Sequence, residues 1–157
     1  MSRVGLGFDC HAFDSGRTLV LGGVAIPGSP GLSGHSDADV LSHAIADALL
    51  GAGRLGDLGT MFPPDDRWRE ASSLDILSVT AQSLKDRGCR IENVDGTVVA
   101  QSPKLAPYRD EMIAAIAMAL NLPLSEVSVK ATTTDGLGFA GRGEGIAAIA
   151  VALVDPT

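Results

Sequence analysis

The chain has 157 residues, of which 45% are hydrophobic and 20% charged, a composition typical of one globular domain, residues 1–157, with an ample core. Its formal net charge of -7 argues against nucleic-acid binding, which draws on an excess of lysine and arginine. Two cysteines favour a reducing cytoplasm over a disulfide framework, and neither a signal peptide nor an apolar run of membrane-spanning length is recognisable.

Hydrophobic periodicity and turn residues predict five strands and three helices. In chain order these are strands at 3–13 and 18–26, a loop at 27–36, a helix at 38–52, a loop at 53–66, a helix at 73–87, a strand at 90–101, a helix at 107–120, and strands at 127–132 and 145–154. Gly22 and Gly23 are expected to bend the second strand, and Ser36 or Asp37 to cap the first helix. Strands and helices mix without strict βαβ alternation. We therefore predict an α+β fold, a two-layer sandwich with a mixed sheet and helices on one face.

The last predicted strand is apolar on both faces, as the run GIAAIAVALV shows. A two-layer sandwich covers only one face of its sheet, so the other face would leave an apolar patch in water. Packing three sheets around an axis would cover that patch. The strand therefore favours a homotrimer.

The stretch GFDCHAF places Asp9 and His11 two residues apart on a predicted strand, where they project from one face. His43, on the polar side of the first predicted helix, is the best candidate for a third ligand. Two histidines and one aspartate suit Zn²⁺ with a fourth position open. Asp39 or Asp47 would accept the second ring N–H of an imidazole and fix its tautomer. Without further motifs, Asp-x-His would be a chance pairing.

Other polar residues fit phosphate chemistry as well as plain structural roles. His35 and Ser36 precede the first helix and can face an anion at its positive end, or simply cap it. The run ATTTD offers three hydroxyls and a carboxylate, although threonines are also common in strands. Lys104 alone would be a solvated lysine.

Four stretches carry a family resemblance: GFDCHAF, GHSDADVLSHAIADALLGAGRLGDLGTMFPP, VAQSPKLAPY and KATTTDGLGFAGRGEGI. They resemble the 2-C-methyl-D-erythritol 2,4-cyclodiphosphate synthases, enzymes of the non-mevalonate isoprenoid pathway, in order and over nearly the whole chain. The resemblance implies a cytoplasmic homotrimeric lyase that cyclises 4-diphosphocytidyl-2-C-methyl-D-erythritol 2-phosphate and releases CMP. It implies zinc at Asp9, His11 and His43. It also implies a second divalent ion, Mg²⁺ or Mn²⁺, near Asp135, where the family often carries the longer glutamate.

The resemblance also assigns residue roles. His35 and Thr133 would act on the phosphates during the reaction, and Lys104 would lie near the diphosphate. The implied substrate-binding residues are Asp9, His11, His35, Ser36, Asp57, Leu58, Gly59, Phe62, Pro63, Pro64, Asp65, Asp66, Ala100, Gln101, Ser102, Pro103, Lys104, Leu105, Ala106, Thr132, Thr133, Thr134, Asp135, Phe139 and Arg142.

Two other functions compete with cyclisation. The same ligands would serve a zinc phosphohydrolase that uses metal-bound water. A non-catalytic carrier would instead hold an isoprenoid diphosphate in the central cavity of the trimer, with Arg142 as the anion anchor.

Overall fold

One layer of the computed structural model, which describes residues 1–156, is a five-stranded sheet. Its strands are β1 (Arg3–Leu21), β2 (Val24–Leu32), β3 (Cys89–Val99), β4 (Val127–Thr132) and β5 (Gly145–Pro156), in the spatial order β2-β1-β5-β3-β4. β3 and β4 are parallel, whereas the other neighbours are antiparallel. The mixed sheet is thereby confirmed. Thr157, the last residue of the predicted domain, lies outside the described residues.

Within residues 1–156 the α-helices are α1 (Val40–Gly53), α2 (Leu58–Met61), α3 (Ser73–Asp86), α4 (Arg109–Leu120) and α5 (Gly138–Gly141). The second layer consists of α1, α3 and α4, which pack against the sheet, whereas α2 contacts α1 and α5 contacts β5. The buried face of α1, including Leu41, Ile45 and Leu49, packs against β1 and β5. The predicted α+β architecture is confirmed. No helix within residues 1–156 combines the length and hydropathy needed to cross a membrane.

The N-terminal strands form a hairpin, which corrects the predicted strand at 18–26. Leu21 pairs with Val24, so Gly22 and Gly23 are the two residues of the turn, with φ of 56° and 75°. Two-residue hairpin turns of this kind need positive φ at both positions, which glycine adopts without strain. The predicted bend is a chain reversal.

Residues 27–32, predicted as loop, belong to β2 and pair irregularly with β1. Pro27 and Pro30 argued against a strand because proline cannot donate to a sheet. They are tolerated here because β2 lies at the edge of the sheet, where no further strand requires an N–H donor from these positions. The long loop predicted at 53–66 likewise contains the single-turn helix α2.

The cap of α1 is Asp39, not Ser36 or Asp37 as predicted. Its fully buried carboxylate accepts from Ser42 N (3.0 Å) and Ser42 Oγ (2.8 Å), and also from Gly22 N (2.9 Å) and Gly23 N (2.7 Å). Four donors offset part of the cost of burying this charge, although burial and the nearby charge of Asp37 still raise the pKa of Asp39. Asp39 therefore joins the helix start to the hairpin turn.

α1 lies unusually close to β1 because β1 presents glycines to it. A Cβ placed on Gly7 would lie 1.9 Å from the carbonyl oxygen of Ala44, and one on Gly5 would lie 1.8 Å from that of Ala48. Both neighbours are helix backbone, which cannot move aside locally. The two glycines thus set the depth at which His43 approaches the strand that carries Asp9 and His11.

We expect Gly7→Ala to destabilise the fold by about 3 kcal/mol or more, because α1 must move off the sheet. Gly51→Ala is the matched control. It lies in the exposed part of α1, and apart from its neighbours in the helix no atom of residues 1–156 lies within 4 Å of the added methyl, so it should stabilise by about 0.5–1 kcal/mol. Urea unfolding of both variants measures the difference. A Gly7→Ala variant as stable as the wild type would contradict this packing.

The uncovered face of the sheet carries an apolar patch, here called the outer patch, formed by Val4, Leu6, Phe8, Ile149 and Val151. All five side chains are exposed, and cross-strand pairing places Leu6 beside Val151 and Phe8 beside Ile149. The other side of β5, including Ile146 and Val154, is fully buried against the helices. The predicted two-faced character of this strand is confirmed.

Candidate active site

β1 and α1 bring Asp9, His11 and His43 together. Along β1, Asp9 and His11 follow the buried Gly5 and Gly7 on the helix-covered face, while Phe8 and Cys10 point outward. Asp9 Oδ2 lies 2.9 Å from His11 Nε2 and 3.1 Å from His43 Nδ1, and the two ring nitrogens are 3.4 Å apart. The three predicted ligands thus present three donor atoms to one point.

This triangle suits a metal ion. Tetrahedral zinc, with ligand bonds of about 2.0–2.1 Å, separates its ligand atoms by about 3.3 Å. The three edges of the triangle lie close to that value, and within residues 1–156 these three side chains are the one such group found. With three protein ligands, a fourth position stays open, as in catalytic rather than structural zinc sites.

The same geometry shifts the ionisation of the cluster. Burial by itself raises the pKa of Asp9, but hydrogen bonds to His11 and His43 and the charges of both rings outweigh it and lower the pKa to about 2. Burial lowers the pKa of His43, but Asp9, with Asp39 and Asp37 farther off, raises it overall. Asp9 is therefore ionised at neutral pH and offers a negatively charged ligand atom to a cation.

The other ring nitrogen of His43 faces hydroxyls, not the predicted carboxylates. Nε2 lies 3.0 Å from both Ser36 Oγ and Ser73 Oγ. Asp39 is occupied by its four donors. Asp47 accepts from Leu58 N (3.0 Å) and so holds the start of α2. The prediction that Asp39 or Asp47 orients a ring of the cluster is wrong, because both carboxylates complete backbone turns.

A cavity of about 190 Å³ opens beside the cluster. Eight predicted site residues line it together with Trp68 and Ile76: Asp9, His11, His35, Ser36, His43, Leu58, Phe62 and Pro64. Over it lies the loop after α1, fixed by a hydrogen bond of 2.7 Å from His35 Nε2 to the carbonyl oxygen of Asp65. Three other predicted residues of this loop have local roles. Asp57 caps α2 by accepting from Thr60, and these hydrogen bonds lower the pKa of Asp57. The side chains of Asp65 and Asp66 form exposed ion pairs with Arg67 and Arg69, respectively.

Trp68 lines the same cavity, although no sequence motif predicted a role for it. Its ring packs edge-on against Phe62, with centroids 4.7 Å apart, and its indole N–H is buried without a hydrogen-bond partner in the described part of the chain. An aromatic residue beside two prolines and a phenylalanine is the one local signal that could have drawn attention to it.

The start of α1 already holds a negative charge, because the carboxylate of Asp39 accepts from Ser42 N there. The contact of His35 and Ser36 with an anion at this helix end stays a prediction. Both residues line the cavity, where an anion could meet their side chains.

A second cavity, of about 150 Å³, lies beneath the loop at residues 100–106. Leu105, Ala106 and Arg109 line it with residues of β3, β4 and α4. The loop is tied to the end of β4, since Ala100 N donates to Thr132 O (2.9 Å) and Gly136 N donates to Gln101 Oε1 (3.2 Å). The structure thus unites two predicted groups of residues, at 100–106 and 132–135.

Several predicted residues lie at the rim of this second group. Thr133 Oγ1 and Asp135 Oδ1 are 3.3 Å apart and exposed, and Asp135 has a positive φ of 52°. Lys104 is exposed and forms no ion pair with residues 1–156. Phe139 and Arg142 line neither cavity, and Arg142 pairs with Glu144 at 2.8 Å.

The two cavities stand apart within one chain. They share no lining residue, and β5 and β3 separate the strand of His11 from the end of β4. Three strand spacings of about 4.8 Å put about 14 Å between His11 and Thr133 along the sheet.

Comparison with known sequences gives a consistent result. Residues 2–155 match the YgbB family. The chain is 56% identical over 156 residues, 99% of this chain and 96% of the relative, to 2-C-methyl-D-erythritol 2,4-cyclodiphosphate synthase of Pelotomaculum thermopropionicum. The protein of the same name from Moorella thermoacetica is 56% identical over 153 residues, 97% of this chain and 94% of the relative.

Solved structures agree. The bifunctional IspDF of Campylobacter jejuni superposes with a TM-score of 0.96 at 40% identity, covering 100% of this chain but 43% of that longer one. The CDP complex of IspF from Plasmodium falciparum superposes with a TM-score of 0.86 at 35% identity, covering 99% of this chain and 97% of the other.

Proposed function

The chain belongs to the YgbB family, and on that basis we propose that it converts 4-diphosphocytidyl-2-C-methyl-D-erythritol 2-phosphate to 2-C-methyl-D-erythritol 2,4-cyclodiphosphate and CMP, as a lyase of isoprenoid precursor synthesis in the cytoplasm. The observation that carries the proposal is the triangle of Asp9, His11 and His43 at a cavity closed by predicted substrate-binding residues. A relative crystallised with CDP supports a cytidine nucleotide as the leaving part of the substrate.

The reaction needs no nucleophile from the protein. The 2-phosphate of the substrate, with a second pKa of about 6, is largely ionised at neutral pH. One of its oxygens attacks the β-phosphorus, the bond from that phosphorus to the bridging oxygen breaks, and CMP departs with that oxygen. When bound at the triangle, Zn²⁺ would polarise and position the β-phosphate, and Mg²⁺ or Mn²⁺ accompanying the diphosphate near Asp135 would neutralise charge.

The residues of this chain would mainly position charge. His35 and Ser36, in the first cavity, would contact phosphate beside the triangle. Asp57 would accept from the hydroxyls of the sugar or of the methylerythritol. The loop at 100–106 would hold cytosine over the second cavity, with Thr133 and Lys104 toward the diphosphate.

We further propose that the chain, as a single domain, forms a homotrimer whose sites lie at the subunit boundaries. Two observations support this. The outer patch is exposed in one chain and needs cover. The triangle includes residues of β1, and the loop at 100–106, here called the nucleotide loop, follows β3, which β5 separates from β1. The triangle of one chain and the nucleotide loop of its neighbour can therefore complete one site.

Product analysis tests the activity. The zinc-loaded protein, incubated with the cytidine diphosphate substrate and Mg²⁺, should yield CMP and the cyclic diphosphate in equal amounts, visible by ³¹P NMR. A linear bisphosphate or inorganic phosphate would identify a phosphohydrolase. No turnover, together with tight binding of an isoprenoid diphosphate, would identify a carrier.

Thr133→Val should lower kcat by about 100-fold, because it removes a donor to the phosphates while keeping the shape of the side chain. A donor used mainly in the transition state affects kcat more than KM. Thr18→Val, at an exposed position of β1 outside both cavities, is the control and should behave as wild type. Steady-state kinetics at saturating substrate measure kcat for both variants. An unchanged kcat for Thr133→Val would show that Thr133 is not a donor to the phosphates in the transition state.

A further inference from the structure

The side of His43 that faces away from the triangle is enclosed by a chain of polar groups. Ser36 Oγ and Ser73 Oγ both lie 3.0 Å from Nε2. Ser73 is fully buried and is bonded onward to Asp37: its Oγ donates to Oδ1, and its backbone N donates to Oδ2 at 2.9 Å. Asp37 also donates its own backbone N–H to Ala71 O (3.1 Å), so the loop before α1 and the start of α3 are joined here.

The positions of the hydroxyl protons show that Ser73 and Ser36 play different parts beside His43. A carboxylate can only accept, so the hydroxyl proton of Ser73 points to Asp37. The lone pair of that hydroxyl is then left for His43, and Nε2 must carry the proton that it accepts. His43 Nδ1 is consequently unprotonated in the neutral ring and presents its lone pair to Asp9 Oδ2 and His11 Nε2, where a metal would bind.

Ser36 has a different arrangement. Its oxygen accepts weakly from Ala38 N (3.4 Å), and among residues 1–156 no carboxylate is hydrogen-bonded to it. Because Nε2 already carries a proton, the hydroxyl of Ser36 cannot donate to the ring. Ser36 also lines the cavity, so its proton remains available to an acceptor there.

We propose that Ser73, oriented by Asp37, is the positioning residue that fixes the tautomer of His43 for metal binding. Ser36, which the proposed function places against phosphate, keeps its hydroxyl proton for that contact. The part played by Ser36 rests on the proposed function, whereas the part played by Ser73 rests on the metal site alone. Hydroxyl and carboxylate groups thus form the relay Asp37–Ser73–His43, in place of the direct carboxylate partner that is common behind metal-bound histidines.

Metal affinity tests the relay. Ser73→Ala should weaken Zn²⁺ binding by about 10- to 100-fold in competition with a chromophoric chelator, the usual effect of losing such a partner. It should also change the visible absorption spectrum of the Co²⁺-substituted protein. Asp37→Asn should weaken binding in the same direction, because an amide cannot accept from both the hydroxyl and the backbone N–H of Ser73.

The neighbouring residue offers a matched control. Ser72 caps α3 by accepting from Leu74 N and does not touch His43, so Ser72→Ala should lower the melting temperature of the metal-free protein and leave zinc affinity unchanged. Ser36→Ala should keep zinc affinity within about twofold of wild type and raise KM for the phosphorylated substrate.

Two results would overturn the assignment: zinc affinity of Ser73→Ala equal to that of Ser72→Ala, or an equal loss of affinity in Ser36→Ala. A protein that makes no cyclic diphosphate but loses zinc affinity on Ser73→Ala would refute the proposed function and leave the relay standing.

Discussion

His43→Ala should leave the protein without its bound zinc and lower kcat/KM by at least about 1,000-fold. His43 supplies one of three ligand atoms in the triangle, and the two that remain, Asp9 and His11, cannot enclose an ion from the helix side. Loss of a metal worth several kcal/mol of charge stabilisation corresponds to a rate loss of this size. Elemental analysis of the purified variant, with its activity, measures both effects.

His35→Ala is the control for that variant. His35 lines the same cavity but belongs to no ligand triangle, and its Nε2 donates to the carbonyl oxygen of Asp65. Its replacement should reduce activity and leave one zinc per chain. Full zinc content in His43→Ala would show that the triangle is not the metal site.

Mixing two inactive variants should restore activity. His11→Ala lacks a ligand of the triangle, and Lys104→Ala combined with Thr133→Val disables the nucleotide loop. If each site takes its triangle from one chain and its loop from the next, a random mixture of the two in trimers contains about a quarter of fully intact boundaries. The mixture, after joint refolding, should therefore recover up to about a quarter of wild-type activity.

Each parent refolded alone is the control for this experiment, and both should stay inactive. Mass spectrometry of intact assemblies must show that the mixture contains trimers with both variants. Such trimers without activity would mean that each site is built within one chain. A monomeric mass by light scattering would remove the proposed boundary sites altogether.

The local features of the fold could be predicted from the sequence, because they depend on short-range patterns. Alternation along the first strand predicted that Asp9 and His11 share a face, and the structure confirms it. The position of α1 followed from its apolar spacing, and the end of α3 from the glycine that follows it. The two-faced pattern of the last strand correctly indicated an uncovered sheet face.

What the sequence did not reveal depends on pairing between distant residues. Gly22 and Gly23 suit a bulge as well as a hairpin turn, and only the pairing of Leu21 with Val24 decides between them. Three oxygen-bearing residues, Ser36, Asp37 and Asp39, compete to cap α1. Asp37 is not the cap because its carboxylate accepts from the backbone N–H of Ser73, 36 positions along the chain at the start of α3.

The candidate site shows the same division. Its metal ligands could be predicted from spacing and residue type, because zinc constrains both. The partners behind His43 could not, since a buried serine at the first turn of a distant helix has no distinguishing sequence pattern. The same holds for Trp68, whose buried N–H is visible only once the loop at 53–66 is folded over the cavity.

The source of the attacking oxygen tests the central claim most directly. The zinc- and Mg²⁺-loaded protein is incubated with the cytidine diphosphate substrate in water enriched in ¹⁸O, and the products are weighed by mass spectrometry. Because the substrate's own 2-phosphate attacks, we predict CMP and the cyclic diphosphate, both without ¹⁸O. Incorporation of ¹⁸O into CMP or into a linear phosphate product would show that water attacks, and would contradict the account.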